Sequence, residues 1–218
     1  MMPKISRGWK VSFLIFLILL LDQVVKIWIK TNMSLHESIR ITDWFYIYFT
    51  ENNGMAFGIE LFDKLFLTLF RIAAVGGLFW YLFRISPKKS TRFGYCVCVG
   101  LIIAGALGNI FDSLFYGLLF NPSIGQVATL FPEGGGYAPM FYGKVVDMLY
   151  FPLIDSTFPQ WMPFVGGDPF VFFRPIFNIA DSAITIGIIL MLLFYRRDLS
   201  EVSIDKEDQE ENQSSVEQ

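Results

Sequence analysis

The chain has one histidine and two cysteines among 218 residues, and only 17% of its residues are charged. Each scarcity excludes something. A Ser-His-Asp triad depends on a histidine, and His36 stands alone in a polar stretch, where it reads as a surface residue. A catalytic zinc site takes three protein ligands, mostly His or Cys, and the polar stretches do not supply them. Cys96 and Cys98 are two apart in an apolar run, hence on different faces of a helix. They cannot bond to each other and read as reduced packing residues. Nor is there charge enough for the solvated surface of a soluble domain.

What is there is apolar. Hydrophobic residues make up 54% of the chain and the mean hydropathy is +0.49, a membrane composition. Four stretches are long enough to span: Val11–Ile29, Leu65–Phe83, Phe93–Phe115 and Asn178–Tyr195. At 1.5 Å per residue each covers about 27–35 Å, against a hydrocarbon core of about 30 Å. The expected fold is a mainly α membrane protein with four transmembrane helices. The N-terminus imitates a signal peptide, cations followed by Val11–Leu21, but runs into Asp22-Gln23-Val24-Val25-Lys26 and not into small residues. It therefore reads as a retained first span.

The cations set an orientation. Lys4, Arg7 and Lys10 precede the first span, Arg84, Lys88, Lys89 and Arg92 fill the short link between the second and third, and Arg196-Arg197 close the fourth. The two long links carry few for their length: Lys30, Arg40 and Lys64 in one, Lys144 and Arg174 in the other. The positive-inside rule places both termini in the cytoplasm and the long links outside. One integral membrane domain over 1–197 is expected. Residues 198–218 hold eight acids against Lys206, giving the tail −7 and the rest +4; such a segment reads as a disordered cytoplasmic tail.

The long links have their own pattern. Ile39–Thr50 is β-branched, aromatic and partly alternating, and reads as a strand or hairpin arm at the membrane surface. Phe141–Phe151 reads similarly. The aromatic run from Phe158 to Phe177, with Trp161, Phe170, Phe172 and Phe173, fits an interfacial belt; a lid over a site is the alternative.

Polar residues inside the spans are costly, about 2.5–3.5 kcal/mol for an Asp at mid-helix and less toward the ends. In the fourth span Asn178, Asp181, Ser182 and Thr185 fall on one helical face. Asn109 and Asp112 are three apart in the third, beside a small-residue stripe of Gly100, Ala104 and Gly108 that permits close helix approach. Asp22 and Lys26, four apart, can pair in the first. Asp147 lies just upstream of the fourth span, in Gly143-Lys144-Val145-Val146-Asp147-Met148. The bland reading of these groups is interhelical hydrogen bonding; Asp147 with Asp181 favours chemistry.

Two outer-facing acids can share a proton. The ionised one takes a proton from water, and the neutral one donates to the carbonyl oxygen of a scissile amide; low dielectric and like-charge repulsion separate the roles. Such a pair titrates as a unit, so base and acid are not assigned. A Ser-Lys dyad, Ser113 or Ser182 with Lys26 or Lys144, stays available, although Asp22 competes for Lys26.

Five segments in order then carry a resemblance: Leu21-Asp22-Gln23-Val24-Val25-Lys26; Glu51-Asn52-Asn53-Gly54-Met55-Ala56-Phe57-Gly58; Gly105-Ala106-Leu107-Gly108-Asn109-Ile110-Phe111-Asp112; Gly143-Lys144-Val145-Val146-Asp147; and Phe177-Asn178-Ile179-Ala180-Asp181-Ser182. Each is weak alone. Together on four spans they resemble the lipoprotein signal peptidases (signal peptidase II).

The resemblance implies an aspartic endopeptidase of the bacterial cytoplasmic (inner) membrane, active at the outer face without cofactor or metal. Its substrate would be a prolipoprotein, cut just before a cysteine carrying diacylglycerol. The catalytic pair maps onto Asp147 and Asp181, and supporting polar residues onto Asp22, Asn52, Asn109 and Asn178. Asp112 joins this group, and Gly54 permits close backbone approach. The implied architecture adds a small β-sheet cradle and a mobile outer loop to the four helices. Globomycin-like peptides are expected inhibitors and membrane lipids expected partners; a monomer with no nucleic-acid partner is expected. Two departures stand out. Many members have an arginine where this chain has Ser113, with Arg174 and Lys144 the candidate replacements, and the Asp112–Asp147 and Asp147–Asp181 intervals are longer than in compact members. The rivals are a proton-coupled transporter, which would place acids deeper and show repeated halves, and a nonenzymatic lipoprotein scaffold.

Overall fold

The computed structural model describes residues 6–53 and 64–199. Helix α1 (Arg7–Asn32) is capped by Ser6, whose hydroxyl accepts from the Trp9 amide. Its apolar residues point outward almost all round: Phe13, Phe16, Leu17, Leu20, Leu21 and Val24 are exposed. That is the surface of a helix solvated by lipid tails, not by water. Helix α2 (Lys64–Ile85) is similar, with Phe66, Leu69, Phe70 and Phe83 exposed and only a thin stripe buried.

Helix α3 (Phe93–Phe111) is the hub. It packs on α1, α2 and α5 (Ile179–Phe194), and much of its length is buried. Glycines make the approach possible. A Cβ on Gly100 would lie 2.6 Å from Val11, and one on Gly105 2.1 Å from the Ala180 carbonyl. One on Gly108 would lie 2.6 Å from Asp22. The expected small-residue stripe thus seats α1, and Gly105, outside that stripe, seats α5. Cys96 and Cys98 are buried free thiols in this packing.

The third helix runs on past the sequence-based limit. Asp112–Tyr116 forms a π-helical turn, followed by the short helix α4 (Gly117–Leu119). A π-turn inserts a residue into the ladder and turns the side chains beyond it. Here it puts Asp112 against the sheet.

That sheet is small and antiparallel, in the order β1 (Ser38–Arg40), β2 (Tyr46–Asn52), β3 (Val145–Tyr150) and β6 (Ile176–Phe177). Of the two stretches expected as strands, Ile39–Thr50 holds most of β1, a turn and most of β2, and Phe141–Phe151 holds β3. In register, Thr50 faces Asp147 and Asn52 faces Val145. Gly143 leads into β3, where a Cβ would sit 2.1 Å from the Asp112 carbonyl oxygen. The aromatic run forms a separate hairpin, β4 (Ile154–Thr157) with β5 (Pro169–Phe172), carrying exposed Trp161 and Phe164. The fold is that of a mainly helical membrane protein with three long apolar helices, one shorter one and small antiparallel sheets.

Candidate active site

At the sheet end of the bundle, polar side chains from α1, α2, α3, β2, β3 and α5 converge. The deepest layer is an ion box. Lys26 of α1 is fully buried, and its ammonium has three acceptors: Asp22 at 2.9 Å, Asp112 at 2.8 Å and Asn109 Oδ1 at 3.0 Å. An ammonium has three N–H donors, so this one is satisfied. The acids are satisfied as well. Asp22 accepts from the Ala180 amide at 2.9 Å, and Asp112 accepts from Gln23 Nε2 at 3.0 Å and from the Val146 amide at 3.2 Å. The pairing of Asp22 with Lys26 expected from their spacing is present, and Asp112 joins it. Burying ions is expensive unless geometry and hydrogen bonds are complete. This box completes them while stitching α1, α3, β3 and α5 together.

Above the box lie Asp147 and Asp181, held by amides. Asn109 is the link between layers. Its oxygen accepts a hydrogen bond from Lys26, so its NH2 faces the other way and donates to Asp181 Oδ1 at 2.8 Å. Asn178 is oriented by the same logic. It is the N-cap of α5, its oxygen accepting from the Asp181 amide at 2.8 Å, while the Asp181 carboxylate returns a bond to the Asn178 amide at 3.3 Å. This capping box fixes Asp181 in the first helical turn, where the helix dipole favours negative charge. The Asn178 NH2 then points to Asp147 Oδ1 at 2.7 Å, with Asn109 Oδ1 and the Val146 carbonyl also in reach. Asn52, at the end of β2, donates to Asp147 Oδ2.

Asp147 is 3% exposed. Burial, and next the charge of Asp181, raise its pKa from the usual carboxylate range to about 7, against the opposing pull of Lys26, Asn178 and Asn52. Near neutral pH this carboxyl is poised between forms. Asp181, by contrast, is only partly buried. The arrangement can hold one proton between two acids and present them to a substrate at the bundle edge.

The Ser-Lys alternative finds no support in this geometry. Ser113 is buried and its hydroxyl donates to the Asn109 carbonyl; Ser182 donates to the Asn178 carbonyl. Lys26 is enclosed by its three acceptors. The two cations considered as replacements for the arginine at position 113 are also placed elsewhere: Lys144 lies 3.8 Å from Glu51, and Arg174 is exposed, donating to the Pro169 carbonyl. His36 is exposed in a turn.

Of the residues expected from sequence, Asp147, Asp181, Asn52, Asn109 and Asn178 meet in one network, and Asp22 and Asp112 lie one layer below. Gly54 falls outside the described residues. Three features escaped the sequence reading. Gln23 bridges Asp22 and Asp112 and accepts from Tyr116 Oη at 3.1 Å. Lys30 is fully buried, paired with Glu51 and bonded to Ser123 Oγ at 2.9 Å. Arg71 sits in α2, partly buried, on the same side of the helix as buried Thr68 and Val75. The signal for Arg71 was present, since a cation inside a span is a functional flag by itself.

A helical membrane bundle with a carboxyl pair at its edge has the form of a membrane peptidase of the aspartic class. Comparison with known proteins gives the family. A family model described as signal peptidase (SPase) II matches residues 14–196. The chain is 53% identical over 199 residues to the lipoprotein signal peptidase of Porphyromonas gingivalis, covering 91% of this chain and 88% of that one. It is 35% identical to the lipoprotein signal peptidase of Amoebophilus asiaticus, over 90% of this chain and 81% of that one. A solved bacterial membrane enzyme matches with TM-score 0.58 at 25% identity, covering 88% of this chain and 90% of the other. The chain belongs to the signal peptidase II family, aspartic peptidases that cleave signal peptides from prolipoproteins.

Proposed function

We propose that Asp147 and Asp181 are the catalytic pair and that the bond cut is the one just before a diacylglyceryl-modified cysteine. The observation that carries this is the amide clamp: Asn178 touches both acids at once, donating to Asp147 Oδ1 at 2.7 Å and accepting from the Asp181 amide. Asn52 and Asn109 hold the outer flank of each. A proton shared within the pair gives one general base for water and one general acid for the carbonyl oxygen.

Depth supports the substrate. A signal-peptide helix and its attached acyl chains lie within the bilayer, so the scissile bond reaches the enzyme at the membrane edge. The acid pair sits where α5 begins and where the sheet meets the helices, with lipid-facing apolar residues on α1 and α2 below. The orientation that fits is sheet end outside and both termini in the cytoplasm of a bacterial inner membrane, following the distribution of cations. Residues 1–197 act as one integral domain, with 198–218 as a cytoplasmic tail. The enzyme works as a monomer among membrane lipids, and globomycin-like peptides occupy the same site.

The test is cleavage of a diacylglyceryl-modified prolipoprotein peptide in detergent by wild type, Asp147→Asn and Asp181→Asn, with and without a chelator. Either substitution is expected to reduce turnover to background while the protein still inserts, and the chelator to have no effect. Full activity of either Asn variant would end the acid-pair reading.

A further inference from the structure

Helix α1 places a second buried cation one turn beyond the ion box. Asp22, Lys26 and Lys30 follow one another at intervals of four, on one helical face, and all three are buried. Lys30 is paired with Glu51, the neighbour of Asn52 in β2, and donates to Ser123 Oγ at 2.9 Å. The Ser123 hydroxyl in turn donates to Glu51 at 3.2 Å. The ring centres of Tyr137, Phe120 and Phe49 lie 5.0, 5.4 and 5.8 Å from the ammonium, within cation–π range. Lys30 is fully enclosed and the Glu51 side chain is 4% exposed, so neither can meet a substrate directly.

The 120–144 link supplies most of this enclosure, bringing Phe120, Ser123 and Tyr137. Its backbone is tied down as well. The Leu35 amide donates to the Ser123 carbonyl at 2.9 Å, and the Ala128 amide to the Lys30 carbonyl at 3.2 Å. Tyr137 touches both strands of the site. Its ring faces the cation of the Lys30–Glu51 pair, and its hydroxyl accepts from the Lys144 amide at 2.6 Å, one residue before β3.

The register of β2 on β3 needs such a lock. Ile47 faces Leu149 and Thr50 faces Asp147, three steps on β2 against two on β3, so a bulge lies between them. Beyond it the side chains alternate. Glu51 shares with Val146 the face that rests on Ile29, Met33, Phe49 and Phe120. Asn52 shares the other face with Asp147, to which it donates. Losing the bulge would slip the end of β2 by one residue and exchange the two faces. Glu51 would then stand opposite Val145 with its carboxylate on the side of Asp147, and Asn52 would turn into the core. Phe49 favours the observed face by burial. Glu51 favours it only because the Lys30 ammonium is there.

Building on the acid-pair reading above, we propose that Lys30 is a positioning residue. It acts through Glu51 to hold the bulged register in which Asn52 donates to Asp147. The 120–144 link, which closes over the Lys30–Glu51 pair, is then a fixed buttress of the acid pair. It takes part in no bond change of the reaction; it keeps the amide on the carboxyl.

The test is a double-mutant cycle in kcat and KM on the full-length protein and the lipidated peptide, with Lys30→Met, Asn52→Ala and the double variant. Lys30→Met is expected to lower kcat per folded molecule about tenfold or more, with KM close to wild type. The double variant is expected to turn over no more slowly than Asn52→Ala alone, because the bond that Lys30 protects is already gone. A kcat near wild type in Lys30→Met, with only its unfolding midpoint lowered, overturns the proposal and leaves the pair as packing. Losses that multiply in the double variant overturn it too, since Lys30 then acts by another route. If Lys30→Met does not fold, Ser123→Ala takes its place in the cycle, removing one donor from Glu51 and leaving the ion pair. A loss of about threefold that vanishes in the Asn52→Ala background is then expected. No loss in the wild-type background, or the same loss in both, overturns the proposal. Failure of the acid pair itself looks different, because Asp147→Asn or Asp181→Asn would then keep turning over.

Discussion

Two groups of carboxylates occupy the same end of the bundle, and they differ in what faces them. Asp22 and Asp112 share a lysine whose three N–H donors are all used. Asp147 and Asp181 are held by asparagine amides. The first group is built around a cation and fixed by it, with charge converted into a joint between four elements. The second keeps its negative charge in play, so that two acids at close quarters are pressed to share a proton. The same residue type serves as mortar in one layer and as reagent in the next. The counter-charge decides which.

The contrast can be broken from either side. The largest effect is expected at the amide-held pair, where Asp147→Asn or Asp181→Asn should lower turnover by about 10³-fold or more with expression and insertion retained. Substitution in the ion box should do the reverse. Lys26→Met leaves two buried acids without their cation, which costs about 3–5 kcal/mol, and its readout is a large fall in the detergent unfolding midpoint.

Next come the amides that separate the layers. Asn109→Ala and Asn52→Ala each remove a hydrogen bond to a charged group, and a loss of about 10–100-fold in kcat is expected. A kcat near wild type in both would mean that the clamp is packing and not positioning.

A smaller effect tests protonation directly. With Asp147 titrating near 7, activity should fall as pH rises above that value, because the pair then has no proton to give. The same shift has a stability consequence. The folded value lies above the usual 3.8, so the folded state binds more proton than the unfolded chain between about pH 4 and 7, and stability drops as pH rises through that window. Asp147→Asn lacks this loss and should unfold at higher temperature than wild type at pH 8. The smallest effect is expected for Ser113→Ala, which deletes only a bond to a helix carbonyl. A loss comparable to the aspartate variants would revive serine chemistry.

Much of this was legible before any coordinates. The spans follow from hydropathy alone, because a helix in lipid must be apolar over its length. Strands β2 and β3 were visible as β-branched, aromatic runs. Asp22 with Lys26 was legible because helical spacing makes i and i+4 neighbours. The extension of the third helix through a π-turn was not, since nothing in Asp112-Ser113-Leu114-Phe115-Tyr116 announces an inserted residue. Lys30 with Glu51 was also hidden: 21 residues and a strand reversal separate them, and only packing of the 120–144 link over α1 buries both. Arg71 was missed for another reason, being counted as part of an apolar run.

The sequence by itself determined that this is a membrane protein, which acids it could use and which family it resembles, since those depend on composition and on local order. Tertiary structure alone decided how the acids divide. Asp22, Asp112, Asp147 and Asp181 are alike as residues, and their roles depend on whether an ammonium or an amide lies about 3 Å away. That is set by the crossing of α1 and α3 at Gly108 and by the register of β2 on β3. Coulomb energy in a low dielectric is steep in distance, so contacts formed between distant segments turn identical carboxyls into a joint and a catalyst.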